Sequence, residues 1–553
     1  MTNDVSFLPN EPEAITTAIA QPERLHTVRS RVANTTDRPS DEIHDQSSRL
    51  PFRRLIAAYL CLSIIYFTSS LDINSVALAL PVIARDLGAG SSITWTGTAY
   101  LMGQAAFQPL YGRLSDIIGR KPVLMLSVGF LVFGDILCAN SHTPAWLYAC
   151  RAISGIGGGG ISSIISIIVS DLVSLKDRGK YQGMLNASIG AGSAIGPFLA
   201  AALIQKMRIA GISSWRWIFY IPPVLACVSA IASLFFLPLT DVSGSWKAKA
   251  RQIDWMGLAA SLVATICILI PLNLGGTSWA WSSPAVISLM IIGGVAVAVF
   301  TIIEKKYARI PLIPLRLFTS KASAILLIQS ALYNIVWQVD MYFLPTYLQD
   351  VRGFSPLQAS ALMLPILLFS SVSGIFYDYI YHPGIFLWLF GVCLKMMFSQ
   401  TTSVGTYLGA LLVEGWGIGC VFQPGLVALH AHCPPKDRAV ATSTRNLFRM
   451  LGSVIGMTIA TALQSAVTQA ALSDNVPASV LSQVKMGTWR FGTTSWDQDI
   501  SYARFKGFQA VFAMEIPFMV LCFLGCFGIP SATLGGDDQI TERDDHFSLQ
   551  ERN

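Results

Sequence analysis

Five carboxylates, Asp72, Asp135, Asp340, Glu414 and Glu515, interrupt otherwise apolar stretches of the chain. A charged carboxylate inside a bilayer costs roughly 2.5 kcal/mol or more, so an acid kept there marks a functional position by default. Burial disfavours its ionised form, which suits the group to taking up and releasing a proton. Glu515, two residues before Pro517, also has a plainer reading, an ion pair with an arginine such as Arg449.

Other chemistries lack their machinery. There is no Gly-x4-Gly-Lys-Ser/Thr phosphate loop, so direct ATP hydrolysis has no visible basis and an ion gradient is the remaining energy source. The apolar stretches contain neither a His-rich metal cluster nor a nucleophile motif, so no enzyme, cofactor or metal is expected. The ten cysteines lie mostly inside those stretches and read as small packing residues. A substrate would meet a different set of groups. Asn334, Gln338 and Tyr342 recur every four residues, hence on one helical face. With Tyr100, Gln104 and Gln108 they are placed to line a mostly apolar cavity with a few hydrogen-bonding groups, suited to amphipathic compounds. The alternative is hydrogen bonding between helices without ligand contact.

The elements that must position these groups are membrane helices. Of 553 residues, 53% are hydrophobic and 13% charged, against about 25% charged in ordinary soluble chains. Apolar stretches near the length of about 20 residues that spans a bilayer recur fourteen times. They fall near 54–76, 93–112, 122–140, 145–170, 182–204, 216–238, 255–275, 284–304, 323–348, 357–377, 384–400, 406–430, 444–466 and 508–529. The eleventh is short and carries Lys395. The net charge of +6 comes with basic residues gathered in short clusters between spans, so it implies no nucleic-acid partner. Arg53 and Arg54, then Arg113, Arg120 and Lys121, then Lys176, Arg178 and Lys180 lie on one side, as do the clusters at 247–251 and 305–321. The opposite loops are poor in Lys and Arg, with none after span 3, none after span 7, and Lys206 with Arg208 after span 5. The positive-inside rule then puts both termini in the cytoplasm.

An internal repeat organises the spans. Lys176-Asp177-Arg178 recurs as Lys436-Asp437-Arg438, an offset of 260 (436 − 176). At that offset Gly155 and Gly157 meet Gly415 and Gly417, and Gly192-Ser193-Ala194-Ile195-Gly196 meets Gly452-Ser453-Val454-Ile455-Gly456. Repeated halves around a central site are a common transporter design. The expected organisation is a disordered cytoplasmic tail at 1–52 and a six-helix bundle at 53–240. Two inserted spans with linkers follow at 241–322, then a second six-helix bundle at 323–530 and a cytoplasmic tail at 531–553. An outer loop at 467–507, with Trp489 and Trp496, interrupts the second bundle.

Three motifs carry a family resemblance. Gly112-Arg113-Leu114-Ser115-Asp116-Ile117-Ile118-Gly119-Arg120-Lys121, between spans 2 and 3, resembles the signature cytoplasmic loop of the major facilitator superfamily, Gly-x-x-x-Asp-x-x-Gly-Arg-Lys. Its glycines allow a tight turn, and Asp116 is expected to pair with a helix end or arginine and latch the halves in one state. Gly155 to Gly160 satisfies Gly-x-Gly-x-x-Gly, yet lies in a membrane span without the strand a dinucleotide site needs, and so reads as close helix packing. Arg151, opening that span, resembles the family's buried arginine implicated in proton transfer; the alternative is an arginine reaching the interface. Gly183, Gly192, Gly196 and Pro197 resemble the antiporter motif Gly-x8-Gly-x3-Gly-Pro-x2-Gly-Gly, with Ala200 and Ala201 replacing its last glycines.

Across 53–530 the chain resembles the fourteen-span drug:proton antiporters, particularly fungal multidrug (azole-resistance type) pumps. The stretches Trp215-Arg216-Trp217-Ile218-Phe219, Asp254-Trp255-Met256-Gly257 and Pro311-Leu312-Ile313-Pro314 contribute to this. It departs at Asn74-Ser75-Val76-Ala77, and again where Gly374 and Asp378 lead into Tyr381-His382-Pro383 without basic residues. The resemblance implies an all-α major facilitator fold of six, two and six helices, acting as a monomer in the plasma membrane, with the vacuole as the alternative. It implies proton-coupled efflux of drugs, toxins or secondary metabolites, with multidrug resistance one outcome. Asp72 matches the family's span-1 acid and leads, with Arg151, as the coupling site; Asp340 and Glu414 come second. A siderophore or amino-acid carrier is the nearest alternative, and a non-transporting receptor or sensor a distant one.

Overall fold

The computed structural model describes residues 52–530 other than 90–91, 94, 174–176, 205–207, 210–211, 238–252, 276–278, 309–310, 374–380, 473–476 and 478–495. The two expected tails, apart from Phe52, and most of the outer loop therefore lie outside the described residues, as do Gly374 and Asp378.

The described chain is almost wholly helical. In order it forms α1 (Phe52–Leu87), α2 (Trp95–Ile118), α3 (Arg120–Ala139), α4 (Pro144–Leu172), α5 (Arg178–Ile204) and α6 (Trp217–Phe236). There follow α7 (Trp255–Leu274), α8 (Pro284–Lys306), α9 (Lys321–Asp350), α10 (Pro356–Leu362) and α11 (Leu364–Ser373). Last come α12 (Tyr381–Lys395), α13 (Val404–Ala431), α14 (Arg438–Ala471) and α15 (Asp497–Cys526). A two-residue hairpin, Arg208–Ile209 with Ile212–Ser213, bridges α5 and α6. Local chemistry sets many boundaries. Thr143, Ser283 and Ser403 cap α4, α8 and α13 by accepting a backbone N–H, and Asp254 does the same for α7. Gly88 ends α1 in the left-handed region at φ 64°, with Ala89 N–H bonded back to Ala84 at 2.9 Å. Gly119, at φ 113°, makes the one-residue break between α2 and α3.

Eleven described helices are long and apolar enough to cross a membrane. The other three expected spans differ for identifiable reasons. α2 has the length but is too polar, carrying Gln104, Gln108, Arg113 and Asp116. The tenth span breaks at Met363 into α10 and α11, just before Pro365, which lacks the N–H a continuous helix would use. α12 has 15 residues and stops at Lys395. Polar inward-facing groups in α2 and the buried Lys395 of α12 lower the hydropathy that marks a span.

Helices α1–α6 pack as one bundle through α1–α5, α2–α4, α3–α4, α1–α6 and α3–α6. α9–α15 form the second through α9–α14, α12–α13, α11–α13, α14–α15 and α12–α15. α7 and α8 pair with each other, and α7 lies against α2 and α14. The bundles meet chiefly along α2–α14 and α5–α11. The repeat governs this geometry: Pro144 and Val404 begin α4 and α13 at the 260-residue offset (404 − 144), as Arg178 and Arg438 begin α5 and α14 (438 − 178). Its glycines make matching contacts. A Cβ on Gly157 would fall 2.3 Å from the Leu131 backbone, and one on Gly417 would fall 2.4 Å from that of Trp388. Likewise Gly192 abuts the Phe67 carbonyl at 2.6 Å and Gly452 that of Ala331 at 2.2 Å. Small residues thus bring backbones together in the same way in both halves.

Candidate functional site

Four helices of the first bundle converge on Arg151. Its Nη1 donates to Asp72 Oδ2 at 2.9 Å and Oδ1 at 3.1 Å, and lies 3.5 Å from Asp135 Oδ1. Ser154 donates to the same Asp135 oxygen at 2.7 Å. The guanidinium stands over the rings of Tyr100 (4.5 Å) and Phe219 (5.6 Å). All three charged residues are at most 1% exposed. Arg151 is therefore a buried ion-pair centre and does not reach the interface. Asp135 joins it because Gly134 lets α3 close on Ser154 of α4, where a Cβ would come within 2.5 Å.

The second bundle builds a counterpart around Lys395. Its ammonium pairs with Asp340, with Glu414 Oε1 at 3.0 Å and with Glu515 Oε2 at 2.5 Å. Trp388 Nε1 also donates to Glu414 Oε1, at 3.2 Å. All four ionisable side chains are fully buried. Glu515 thus pairs with Lys395 and not with Arg449. Lys395, which weakened the sequence reading of its span, is the group that gathers three of the five intramembrane acids.

Between the bundles lies a cavity of about 220 Å³, below the usual range of about 300–1,000 Å³ for drug-sized ligands. Of the six residues expected to line it, Gln104, Gln108 and Asn334 do. Tyr100 is one layer behind, its hydroxyl packed against the lining residue Gly158. Gln338 and Tyr342 are not in the lining, and Tyr342 is 53% exposed. The lining is more polar than expected and carries positive charge. Arg445 and Arg449 of α14 both face it, and it includes no aspartate or glutamate. Arg445 Nη2 donates to Tyr333 Oη at 2.8 Å and the Phe422 carbonyl at 2.5 Å; Arg449 Nε donates to Asn334 Oδ1 at 3.1 Å and its guanidinium sits 4.7 Å over Phe422. Neither arginine has a carboxylate within 4.0 Å among the described residues. Sequence spacing gave one signal for this: Asn186 and Asn446, both lining residues, stand at the repeat offset.

On the face bearing the α2–α3 turn the bundles are joined. A Cβ on Gly112 would fall 2.8 Å from the Ala439 carbonyl. Asp116 pairs within its own bundle, with Arg120 at 2.5 Å and Arg113 at 3.7 Å, while Arg120 also reaches Asp171 at 2.9 Å. The crossing contact belongs to Arg113, which lies 3.6 Å from Asp437 and donates to the Pro311 carbonyl at 2.6 Å. Arg316 holds Asp437 from the other side at 2.8 Å. Lys121 donates to the Leu234 carbonyl at 2.7 Å. The motif glycines of α5 serve packing: Gly192 and Gly196 seat α5 on α1, and Pro197 lies within the helix.

Two bundles related by an internal repeat, clasped around a cavity, match a known architecture. The Major Facilitator Superfamily profile matches residues 62–457. The chain belongs to this superfamily of membrane transporters. It is 37% identical over 499 residues to Citrate exporter 1 of Yarrowia lipolytica, covering 87% of this chain and 73% of that protein. It is 31% identical over 518 residues to Efflux pump FUS6 of Gibberella fujikuroi, covering 89% and 91%. Among solved structures, the proton:xylose symporter XylE superposes with a TM-score of 0.56 at 12% identity, over 87% of this chain and 98% of that one. The human transporter MFSD10 does so at 0.54 and 17%, over 86% and 100%. These two share the fold.

Proposed function

We propose that this transporter exports small organic anions in exchange for protons, working as a monomer in the plasma membrane with both termini in the cytoplasm. The observation that carries the anion is the pair Arg445 and Arg449, two cations facing one cavity whose lining offers no acid. An uncompensated positive charge in a low-dielectric site attracts a negative ligand strongly, and guanidinium forks suit carboxylates. Side-chain amides from Gln104, Gln108, Asn334 and Asn446 supply neutral hydrogen bonds around them. The relative named as a citrate exporter supports this class, since citrate is such an anion. For the proton, support comes from Asp72 and Asp135 sharing one guanidinium: two acids against one base leave one carboxylate for a proton to neutralise.

The test is uptake of labelled citrate, malate and a neutral amphipathic dye into inside-out vesicles, with and without a protonophore. Anion uptake should need the proton gradient, and Arg449→Gln should cut it at least tenfold, equivalent to about 1.4 kcal/mol. Uptake of the neutral dye alone, indifferent to Arg449→Gln, would restore the reading as an exporter of amphipathic drugs or secondary metabolites.

A further inference from the structure

We infer that the Lys395 cluster is a second proton-binding site, holding two protons among Asp340, Glu414 and Glu515, and that it is wired to the cavity arginines through Trp388 and Phe422. Charge counting comes first. Three carboxylates surround one ammonium, so the fully ionised cluster carries −2 in a site with no solvent exposure. Leaving such excess charge buried is far costlier than binding protons to it. Each carboxyl also retains an oxygen that accepts no hydrogen bond from a protein donor: Asp340 Oδ2, Glu414 Oε2 and Glu515 Oε1. Buried acceptors without donors are rare, and protons bound among these oxygens supply donors that the protein does not. All three carboxyls moreover converge on one ammonium, and carboxyls sharing one site cannot all be ionised.

Among the described residues, Lys395 is the one cation paired with these three acids. α13 contributes the neutral Tyr407, which bonds to Met363 Sδ of the α10–α11 break; α12 contributes the Trp388 indole; α15 contributes the Phe512 ring, 5.7 Å from the ammonium. Of the three arginines of α14, Arg438 sits at its first residue and bonds to the His430 carbonyl, and Arg445 and Arg449 are spent on the cavity side.

The repeat gives the cluster a lineage. Lys395 stands at the position of Asp135 (395 − 135 = 260), and Glu414 at that of Ser154 (414 − 154 = 260). In the first bundle Ser154 donates to Asp135; in the second Lys395 donates to Glu414. The same helix–helix contact, α3–α4 in one half and α12–α13 in the other, is reused with the acid and the donor exchanged, so each half places a buried acid and its donor at repeat-equivalent positions.

One indole separates this cluster from the cavity. Trp388 donates to Glu414 on one side and packs on Phe422 (5.7 Å) and Tyr333 (5.9 Å) on the other. Arg445 bonds to both of those residues and Arg449 covers Phe422. Losing a proton at Glu414 pulls the indole N–H toward the carboxylate and moves the aromatic shelf on which the arginines rest.

The inference extends the proton half of the exchange proposed above, so its test reads protons without any substrate. In the full-length protein reconstituted into liposomes, infrared difference spectra between acid and alkaline pH report protonated carboxyl groups directly. Asp340→Asn, Glu414→Gln and Glu515→Gln should each diminish the carboxylic-acid band. Lys395→Met, which removes the compensating cation, should enlarge it by about one carboxyl equivalent. A band unchanged in all four variants overturns the proposal. Should a carboxylate variant fail to fold, Lys395→Met and Trp388→Phe still decide it, the latter by shifting the band's titration midpoint; no change in either counts against it.

Discussion

Asp72 and Asp135 do not contribute equally to the charge balance around Arg151, because Asp72 holds it with two oxygens and Asp135 with one at 3.5 Å. Replacing Asp72 with Asn leaves Asp135 to neutralise the guanidinium, so the protein should still reach the membrane folded. Proton-driven efflux should fall to background, since the acid left at Arg151 is now fully compensated and the Lys395 cluster does not replace it; efflux assays and fluorescence-detected gel filtration on one preparation separate the two outcomes. Arg151→Met strands two carboxylates and should cost stability on the scale of about 3–5 kcal/mol seen when one partner of a buried pair is removed. Its readout is loss of monodisperse protein. The acids and Arg151 were visible from residue type alone, because a charge in an apolar stretch is conspicuous. Their grouping was not. Asp135 and Lys395 gain meaning only when α3 and α12 are rotated to face their neighbours, and no spacing along one helix states that rotation.

At the scale of helices, glycines at which two backbones meet differ from those that face open space. Gly192 seats α5 on α1, where a Cβ would fall 2.6 Å from the Phe67 carbonyl and 2.9 Å from Ser70. Gly192→Leu should therefore lower stability by about 1–3 kcal/mol, the usual cost of overpacking. Gly97, early in α2, has nothing within 4 Å of the corresponding point, so Gly97→Ala should leave the melting temperature unchanged or raised. Thermal unfolding of the purified protein compares them. The helices themselves were largely legible, since eleven are apolar enough to announce a membrane. The helices that fall short by hydropathy line the interior: α2 places Gln104 and Gln108 on the cavity and α12 ends on the buried Lys395. Hydropathy measures contact with lipid, and these helices have traded it for the cavity and the buried Lys395 cluster.

For the whole molecule, transport requires the join between bundles to open, and the contacts that hold it shut lie on one face. Asp437, fully buried, is gripped by Arg113 from the first bundle and by Arg316 from the segment before α9. Lys436-Asp437-Arg438 was found as a repeat signature, yet its partner Arg113 could not be, because the pairing joins residues 324 positions apart (437 − 113). Asp437→Asn removes both ion pairs while keeping the side chain's size. The state closed on this face should lose stability relative to the one open there, by about 1.4 kcal/mol for a tenfold shift in population. Ser166 lines the cavity near the end of α4 on that face, so a cysteine there reports access. With the exposed Cys227 and Cys393 replaced by serine, Ser166→Cys should react slowly with a membrane-impermeant maleimide applied from the cytoplasmic side. Adding Asp437→Asn should speed that reaction about tenfold and slow it from the outside. Acceleration from the outer side instead would reverse the orientation inferred from the basic loops, and no change from either side would remove Asp437 from the gate.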